Sequence, residues 1–312
     1  MSQKYTELKI VFMGTPEFAV ASLDALVQAG CNVAAVVTAP DKPAGRGMKL
    51  QSSAVKIYAL EKGIPVLQPE KLKSPEFIET LQSYKADLQV VVAFRMLPEI
   101  VWSMPPLGTI NVHGSLLPQY RGAAPLNWAI INGDTETGIT TFRLQHEIDT
   151  GDILLQEKLE IGKEETAGEL HDRMKVLGAS VLLKTIKAIA ENQLQAMPQK
   201  DLQQEPIRHA PKIFTETCRI NWNEGVDHIH NLVRGLSPFP GAFTSFQDKT
   251  LKIYRAGKEI LAHGAAPGSF LTDHKTYLKF AAADGYLYVK EIQLEGKKKM
   301  KVEDFLRGYR FE

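Results

Sequence analysis

Leu8-Lys9-Ile10-Val11-Phe12-Met13 is an apolar run that stops at Gly14, with Thr15-Pro16-Glu17 behind it. So short and so apolar a run fits a strand buried on both faces of a parallel sheet. The period then changes. Ala19, Leu23, Leu26 and Val27 recur at helical spacing and Gly30 ends them. Thr15 is placed to cap that helix, with Pro16 at its first position and Glu17 in its first turn, near the positive end of the helix dipole. Strand, turn and helix together are the unit from which α/β sheets are wound.

The alternation continues outward from that unit. Val33–Val37 is a second strand, and residues 39–50 form a loop rich in Pro, Gly and basic residues. Helical patterns cover Ser53–Lys62 and Pro75–Ser83, and Leu88–Ala93 is another buried strand. A strand-like run after Gly108 carries Asn111 and His113. Thr140–Leu144 and Ile153–Leu159 read as further strands. Thr166 and Glu169 form a capping box ahead of the stripe Leu170, Met174, Leu177 and Val181, which fades near Glu191. This order predicts an α/β domain over residues 1–190, built on a Rossmann-like, open, mostly parallel sheet with helices on both faces.

Residues 191–210 are polar, Gln-rich and broken by Pro198 and Pro206, which predicts a linker. Residues 211–312 change character. A helical pattern at Val226–Leu236 precedes Pro238-Phe-Pro-Gly241, and short alternating runs follow at Ala242–Phe246, Leu251–Arg255, Tyr277–Ala281 and Tyr286–Ile292. Asp284-Gly285 is a tight-hairpin signal. The pattern predicts a smaller C-terminal antiparallel β-barrel domain.

At 312 residues the chain is long enough for two domains, and 44 % hydrophobic with 23 % charged residues excludes a disordered or fibrous class. The net charge of +1 leaves no global field for a polyanion, but the charge is uneven. Residues 1–210 hold 21 basic against 24 acidic residues, and residues 211–312 hold 16 against 12. A basic last third is compatible with a polyanionic partner and equally with a solvated Lys-rich surface. Cys31 and Cys218 form no metal or redox spacing, which fits a reducing compartment. Met1–Lys9 is polar, and no apolar run approaches the roughly 18 residues that span a bilayer. A cytoplasmic location with no membrane partner is therefore expected. His228 and His230, two apart on a helix, cannot share a face for a metal and are expected at the surface or as caps.

Two stretches carry chemistry. In Asn111-Val-His113-Gly-Ser-Leu-Leu-Pro118, alternate strand residues point to one face, so Asn111 and His113 project side by side. One offers an amide donor and the other an imidazole, at a strand end where α/β sheets bind ligands. By residue type alone, His113 fits a structural histidine and Asn111 a turn residue as well. In Ile148-Asp149-Thr-Gly-Asp152-Ile153, the acidic pair is by itself an ordinary turn, but a carboxylate there can also orient an imidazole and share its proton. Gly14-Thr-Pro-Glu lacks the glycine spacing of a dinucleotide site, and Gly45-Arg-Gly47 is not a phosphate loop.

Taken together, Asn-x-His-x-Ser-Leu-Leu-Pro and a later Asp-Thr-Gly-Asp resemble the folate-dependent formyltransferase family. Its members formylate ribonucleotides, nucleotide-linked aminosugars or aminoacylated tRNA. The resemblance implies a catalytic trio of Asn111, His113 and Asp149, and a folate-lining segment of Ser115, Leu116, Leu117 and Pro118. It implies 10-formyltetrahydrofolate, a reduced folate, as co-substrate and requires no metal. Three features are similar to the tRNA-acting branch. Thr38-Ala-Pro-Asp-Lys-Pro-Ala-Gly-Arg-Gly47 looks like its inserted loop, which places Lys42 and Arg46 at the RNA. Tyr120-Arg-Gly-Ala-Ala-Pro125 follows the folate segment, and the whole last third resembles a C-terminal barrel of oligonucleotide-binding (OB) type, with Lys297, Lys298 and Lys299 as backbone contacts. The implied partner is methionyl-initiator-tRNA, the implied state a monomer, and the alternative acceptor a nucleotide-linked aminosugar. Many members carry Gly at the positions of Arg95 and Glu147.

Overall fold

The computed structural model of the chain describes residues 4–44, 49–202 and 206–311. Their contacts gather into two compact units. One takes in Met1–Arg121, Gly138–Leu159 and His171–His209; the other takes in Gly122–Thr137, Glu160–Leu170 and Ala210–Glu312.

The first unit opens with β1 (Lys9–Gly14), whose Ile10, Val11, Phe12 and Met13 are fully buried, and α1 (Glu17–Gln28). Here the expected cap does not form. Pro16 holds the N-cap position and offers no side-chain acceptor, and Thr15 lies one residue too far out for its hydroxyl to reach the first free amides. Next come β2 (Asn32–Val37), the hairpin β3 (Lys42–Ala44) and β4 (Lys49–Gln51), α2 (Ala54–Glu61) and β5 (Val66–Leu67). Ser53 caps α2 by accepting from the Lys56 backbone N–H at 3.0 Å. After α3 (Pro75–Ser83), β6 (Leu88–Val92) stops one residue short of expectation, because Ala93 turns left-handed at φ +47°. Then follow α4 (Glu99–Trp102), β7 (Thr109–His113) and β8 (Arg121–Gly122). Beyond α5 (Pro125–Ile131) lie β9 (Glu136–Arg143), β10 (Ile153–Glu160), α6 (Ala167–Ala190) and β11 (His209–Ala210).

Seven of these strands form the sheet β10-β9-β7-β6-β1-β2-β5. β2, β1, β6 and β7 run parallel, and β9 joins β7 antiparallel. The sheet is Rossmann-like, with the chain leaving β1 for β2 on one side and returning to β6 on the other. That reversal opens a crevice at the carboxyl ends of the strands, where such sheets bind ligands.

The second unit packs α5 and α7 (Val226–Gly235) with an antiparallel sheet. Its strands are β12 (Ala242–Phe246), β13 (Lys249–Ile260), β14 (Phe270–Thr272), β15 (Leu278–Ala281), β16 (Gly285–Leu294) and β17 (Met300–Lys301), followed by α8 (Val302–Gly308). The order β12-β13-β16-β15-β14, with β17 on β16, makes a half-barrel of OB-like type. β13 is longer than its apolar alternation suggests, because it pairs with β16 from Leu251 to Ile260. The tight hairpin expected at Asp284-Gly285 forms between β15 and β16, closed by the Ala282 N–H donating to the Gly285 carbonyl at 2.8 Å, and Gly285 has a further purpose. It is the first residue of β16, and a Cβ there would lie 2.1 Å from the Glu259 carbonyl oxygen, so its bareness permits close strand approach. The core gathers Ile229, Val233, Phe246, Ile253, Phe280, Leu287 and Ile292, with Trp222 stacked on Phe280 at 4.9 Å. His230 corrects the expectation of a surface residue. It faces the same way as Val226, Ile229 and Val233 and is 3 % exposed, while His228 is exposed and pairs with Glu224. Among the described residues, no helix is long and apolar enough to cross a membrane.

Candidate active site

β7 lies between β6 and β9, with Asn111 opposite Val91 and Phe142, and His113 opposite Thr140. Hydrogen-bonded neighbours on both sides fix the direction of its side chains. His113 is buried, and its Nε2 lies 2.9 Å from the Tyr120 carbonyl. A carbonyl only accepts, so Nε2 carries a hydrogen and Nδ1 is the nitrogen left for chemistry. That nitrogen lies 3.8 Å from the Asp149 Oδ2. The gap is within ion-pair range and too long for a direct hydrogen bond, so both groups can still reach a third atom. The Asn111 side chain is half-buried, and its amide makes no hydrogen bond among the described residues. Asp149 itself is left-handed, at φ +55°. Aspartate tolerates this region, but a left-handed side-chain residue at a candidate site is a strained position held by its surroundings.

The segment after His113 is pinned through one hydroxyl. Thr140 Oγ1 donates to the Ser115 carbonyl at 2.6 Å and accepts from the Leu117 N–H at 3.1 Å and from Gln156 Nε2 at 2.9 Å. Gln156 also donates to the Leu117 carbonyl at 2.8 Å, and Ser115 Oγ donates to the Gln119 carbonyl at 2.6 Å. The Leu117–Pro118 peptide is cis. Leu117 packs with Phe142 and Ile153, and Ser115 and Pro118 are buried, so of these four residues only Leu116 keeps more than a trace of exposure.

Lys42 is exposed on β3 and lines a cleft of about 510 Å³ with Thr15, Asp41, Glu70, Phe94 and Arg95. The Lys56 ammonium, 2.6 Å away, and then Gln68 hold the Asp41 carboxyl below the usual carboxylate range. Arg95 donates to the Glu70 carbonyl at 2.9 Å and to that of Pro69, so its side chain ties two loops together. Arg46 lies outside the described residues. Lys297, Lys298 and Lys299 sit at the turn between β16 and β17, where Lys299 pairs with Glu291 at 2.6 Å and lies over the Tyr254 ring. Among the described residues, no group of three or more His, Cys, Asp or Glu could hold a metal ion.

Two residues without a sequence-based role stand at the Asp149 turn. Gln199 and Arg121 are joined by Arg121 Nε and Nη2 donating to Gln199 Oε1 at 3.0 and 2.6 Å. Arg121 was visible within Tyr120-Arg-Gly122. Gln199 gave no signal, being one glutamine in a Gln-rich stretch.

A formyl transferase family model matches residues 8–186, and a formyl transferase C-terminal domain model matches residues 212–310. A methionyl-tRNA formyltransferase from Bacteroides fragilis is 52 % identical over 312 residues, covering 98 % of this chain and 96 % of that protein. WlaRD, described as a sugar 3N-formyl transferase and solved with dTDP and 5-N-formyl-THF, superposes with a TM-score of 0.68 at 21 % identity, over 93 % of this chain and 99 % of its own. HypX from Aquifex aeolicus superposes with a TM-score of 0.66 at 18 % identity; the match covers 98 % of this chain and 50 % of HypX, so this chain spans half of that protein. At such identities the two structures speak for the fold alone. Both halves of the sequence are matched by formyl transferase models and nearly the full length by a close relative, so the chain belongs to the formyl transferase family, among the methionyl-tRNA formyltransferases.

Proposed function

We propose that this chain transfers the formyl group of 10-formyltetrahydrofolate to the free amino group of methionyl-initiator-tRNA, preparing it for translation initiation. The observation that carries this reading is the approach of His113 and Asp149 to 3.8 Å beside the unengaged amide of Asn111, in a chain half identical to an enzyme of that name. Residues 1–190 act as the catalytic domain, 191–210 as the linker and 211–312 as the tRNA-holding domain. The protein works as a cytoplasmic monomer.

The amine nitrogen attacks the formyl carbon, and the carbonyl π electrons move to oxygen. Asn111 and the Nδ1–H of protonated His113 donate to that oxyanion. Donors aimed at developing charge are usually the largest catalytic contribution, about 3 kcal/mol each. With Nε2 already donating to Tyr120, the second proton of the imidazolium is the one on Nδ1, and Asp149 stabilises it there. Asp149 also takes the proton that the attacking nitrogen must lose. The intermediate collapses by breaking the bond from carbon to folate N10, which leaves with the proton that Asp149 took from the amine, so the carboxylate is restored. No side-chain nucleophile enters the sequence, because the amine is itself the nucleophile. Ser115–Pro118 border the folate. Lys42, Arg46 and Lys297–Lys299 bind the RNA backbone, which orients the acceptor end without reading its sequence.

The test is a parallel formyl-transfer assay with methionyl-tRNA, free methionine and a nucleotide-linked aminosugar. Transfer to methionyl-tRNA alone is the expected outcome. Preferential transfer to the aminosugar would assign the chain to that acceptor instead.

A further inference from the structure

We infer that Gln199 is a positioning residue for Asp149, bracing the left-handed turn that aims the carboxylate at His113. The inference rests on His113 and Asp149 being the reacting pair.

Gln199 is 3 % exposed although it lies in a polar segment. Its amide makes four hydrogen bonds, the full complement of a primary amide. Nε2 donates to the carbonyls of Asp149 and Gly151, both at 2.8 Å. Oε1 accepts twice from Arg121. One side chain therefore grips both ends of the turn and fixes a guanidinium that feels the charges of Asp149 and Glu147. Burial pushes the Arg121 guanidinium down, and those two carboxylates pull it back up.

The anchor is itself held. Two residues earlier, Met197 exchanges backbone bonds with Ile153 at 2.9 and 2.8 Å, and Leu202 packs on the cluster of Leu117, Phe142 and Ile153. The turn has no slack on its other side. Arg143 N–H donates to the Asp152 carbonyl at 3.0 Å, and a Cβ on Gly151 would lie 1.7 Å from the Arg143 carbonyl oxygen. Without Gln199, the Asp149 carbonyl loses a donor that holds the residue at φ +55°. Relaxation to the ordinary negative-φ region swings the carboxylate away from Nδ1.

The test uses Gln199→Met, which removes all four bonds at similar volume, and Gln199→Glu, which keeps an acceptor for Arg121 but sets oxygen against two carbonyls. Each is made in the full-length protein, in the parent and in an Asp149→Asn background, with folding checked by thermal melting. The expected result is a fall of about 10- to 100-fold in single-turnover rate for both variants, with KM for folate and for tRNA unchanged, since misplacement by about 1 Å acts on the rate. In the Asp149→Asn background the same changes should cost almost nothing further, because the carboxylate they aim is already gone. A parent rate within twofold for Gln199→Met, or equal losses in both backgrounds, overturns the inference. If Gln199→Met does not fold, the near-isosteric Gln199→Glu is judged by the same criteria. Near-normal turnover by Asp149→Asn alone would instead remove the reading of the reacting pair.

Discussion

His113 stands on a strand hydrogen-bonded to neighbours on both sides, whereas Asp149 stands on a turn reached through Gln145–Ile148, all four of them exposed. The strand half is secured by the fold itself. β6 and β9 flank it, and the chain beyond it is locked through Thr140 and Gln156. The turn half is secured by two bonds from one remote side chain and a backbone bond between Arg143 and Asp152, and it carries the strained residue. A site assembled this way takes its precision from the sheet and its adjustability from the loop. Damage to the strand half should register as lost stability, and damage to the turn half as lost rate.

The largest effects should come from removing the reacting groups. His113→Ala and Asp149→Asn are each expected to lower turnover by orders of magnitude; Asp149→Asn should melt near the parent, whereas His113→Ala also strands the buried Tyr120 carbonyl and should melt lower. Normal turnover in either would break the comparison outright. Gly151→Ala should come next, with turnover down about 10- to 100-fold as the turn shifts to clear the Arg143 carbonyl. Thr140→Val should show the opposite pattern. It strands the Leu117 N–H and the Ser115 carbonyl, so unfolding free energy should fall by about 1–3 kcal/mol, with turnover following only as folded protein is lost. If Gly151→Ala chiefly lowered stability and Thr140→Val chiefly lowered the rate, the two halves would have been assigned the wrong way round.

The smallest expected effect lies outside both halves. Thr166 N–H and Oγ1 donate to Glu169 Oε2 at 2.9 and 2.8 Å, and Arg255 donates to the same carboxylate group. The Thr166 backbone donor, and then Arg255, hold the Glu169 carboxyl below the usual range. A depressed carboxylate stabilises the fold above its unfolded value, and that contribution is lost as pH falls through the folded one. Glu169→Gln should therefore lower stability at neutral pH by only a few tenths of a kcal/mol, because solvent screens a pair this exposed, flatten the acid side of the stability profile slightly and leave turnover alone. A change in turnover would mean that this cap communicates with the chemistry.

Much of this was legible in one dimension, and particular residues show why. The runs at Lys9–Gly14 and Leu88–Val92 read as buried strands because a strand covered on both faces tolerates little else. The capping box at Thr166 and Glu169 read correctly because both partners lie within one helical turn. Asn111 and His113 shared a face because strand geometry alternates with period two. Thr15 was misassigned by one residue, because a cap depends on where the first helical turn closes, which composition only approximates. His230 is buried because its place on the apolar stripe of α7 outweighs the polarity of its ring.

The elements, the two characters of the chain and the residue types capable of the chemistry are all written in the order of the amino acids, because these follow from periodicity and short-range bonding. Which nitrogen of His113 faces Asp149, the left-handed backbone of Asp149 and its brace by Gln199 from fifty residues away emerge only when the chain is packed. Such pairings are made by sheet order and by buried amides finding partners, and no local pattern along the chain encodes which distant carbonyl a glutamine will meet.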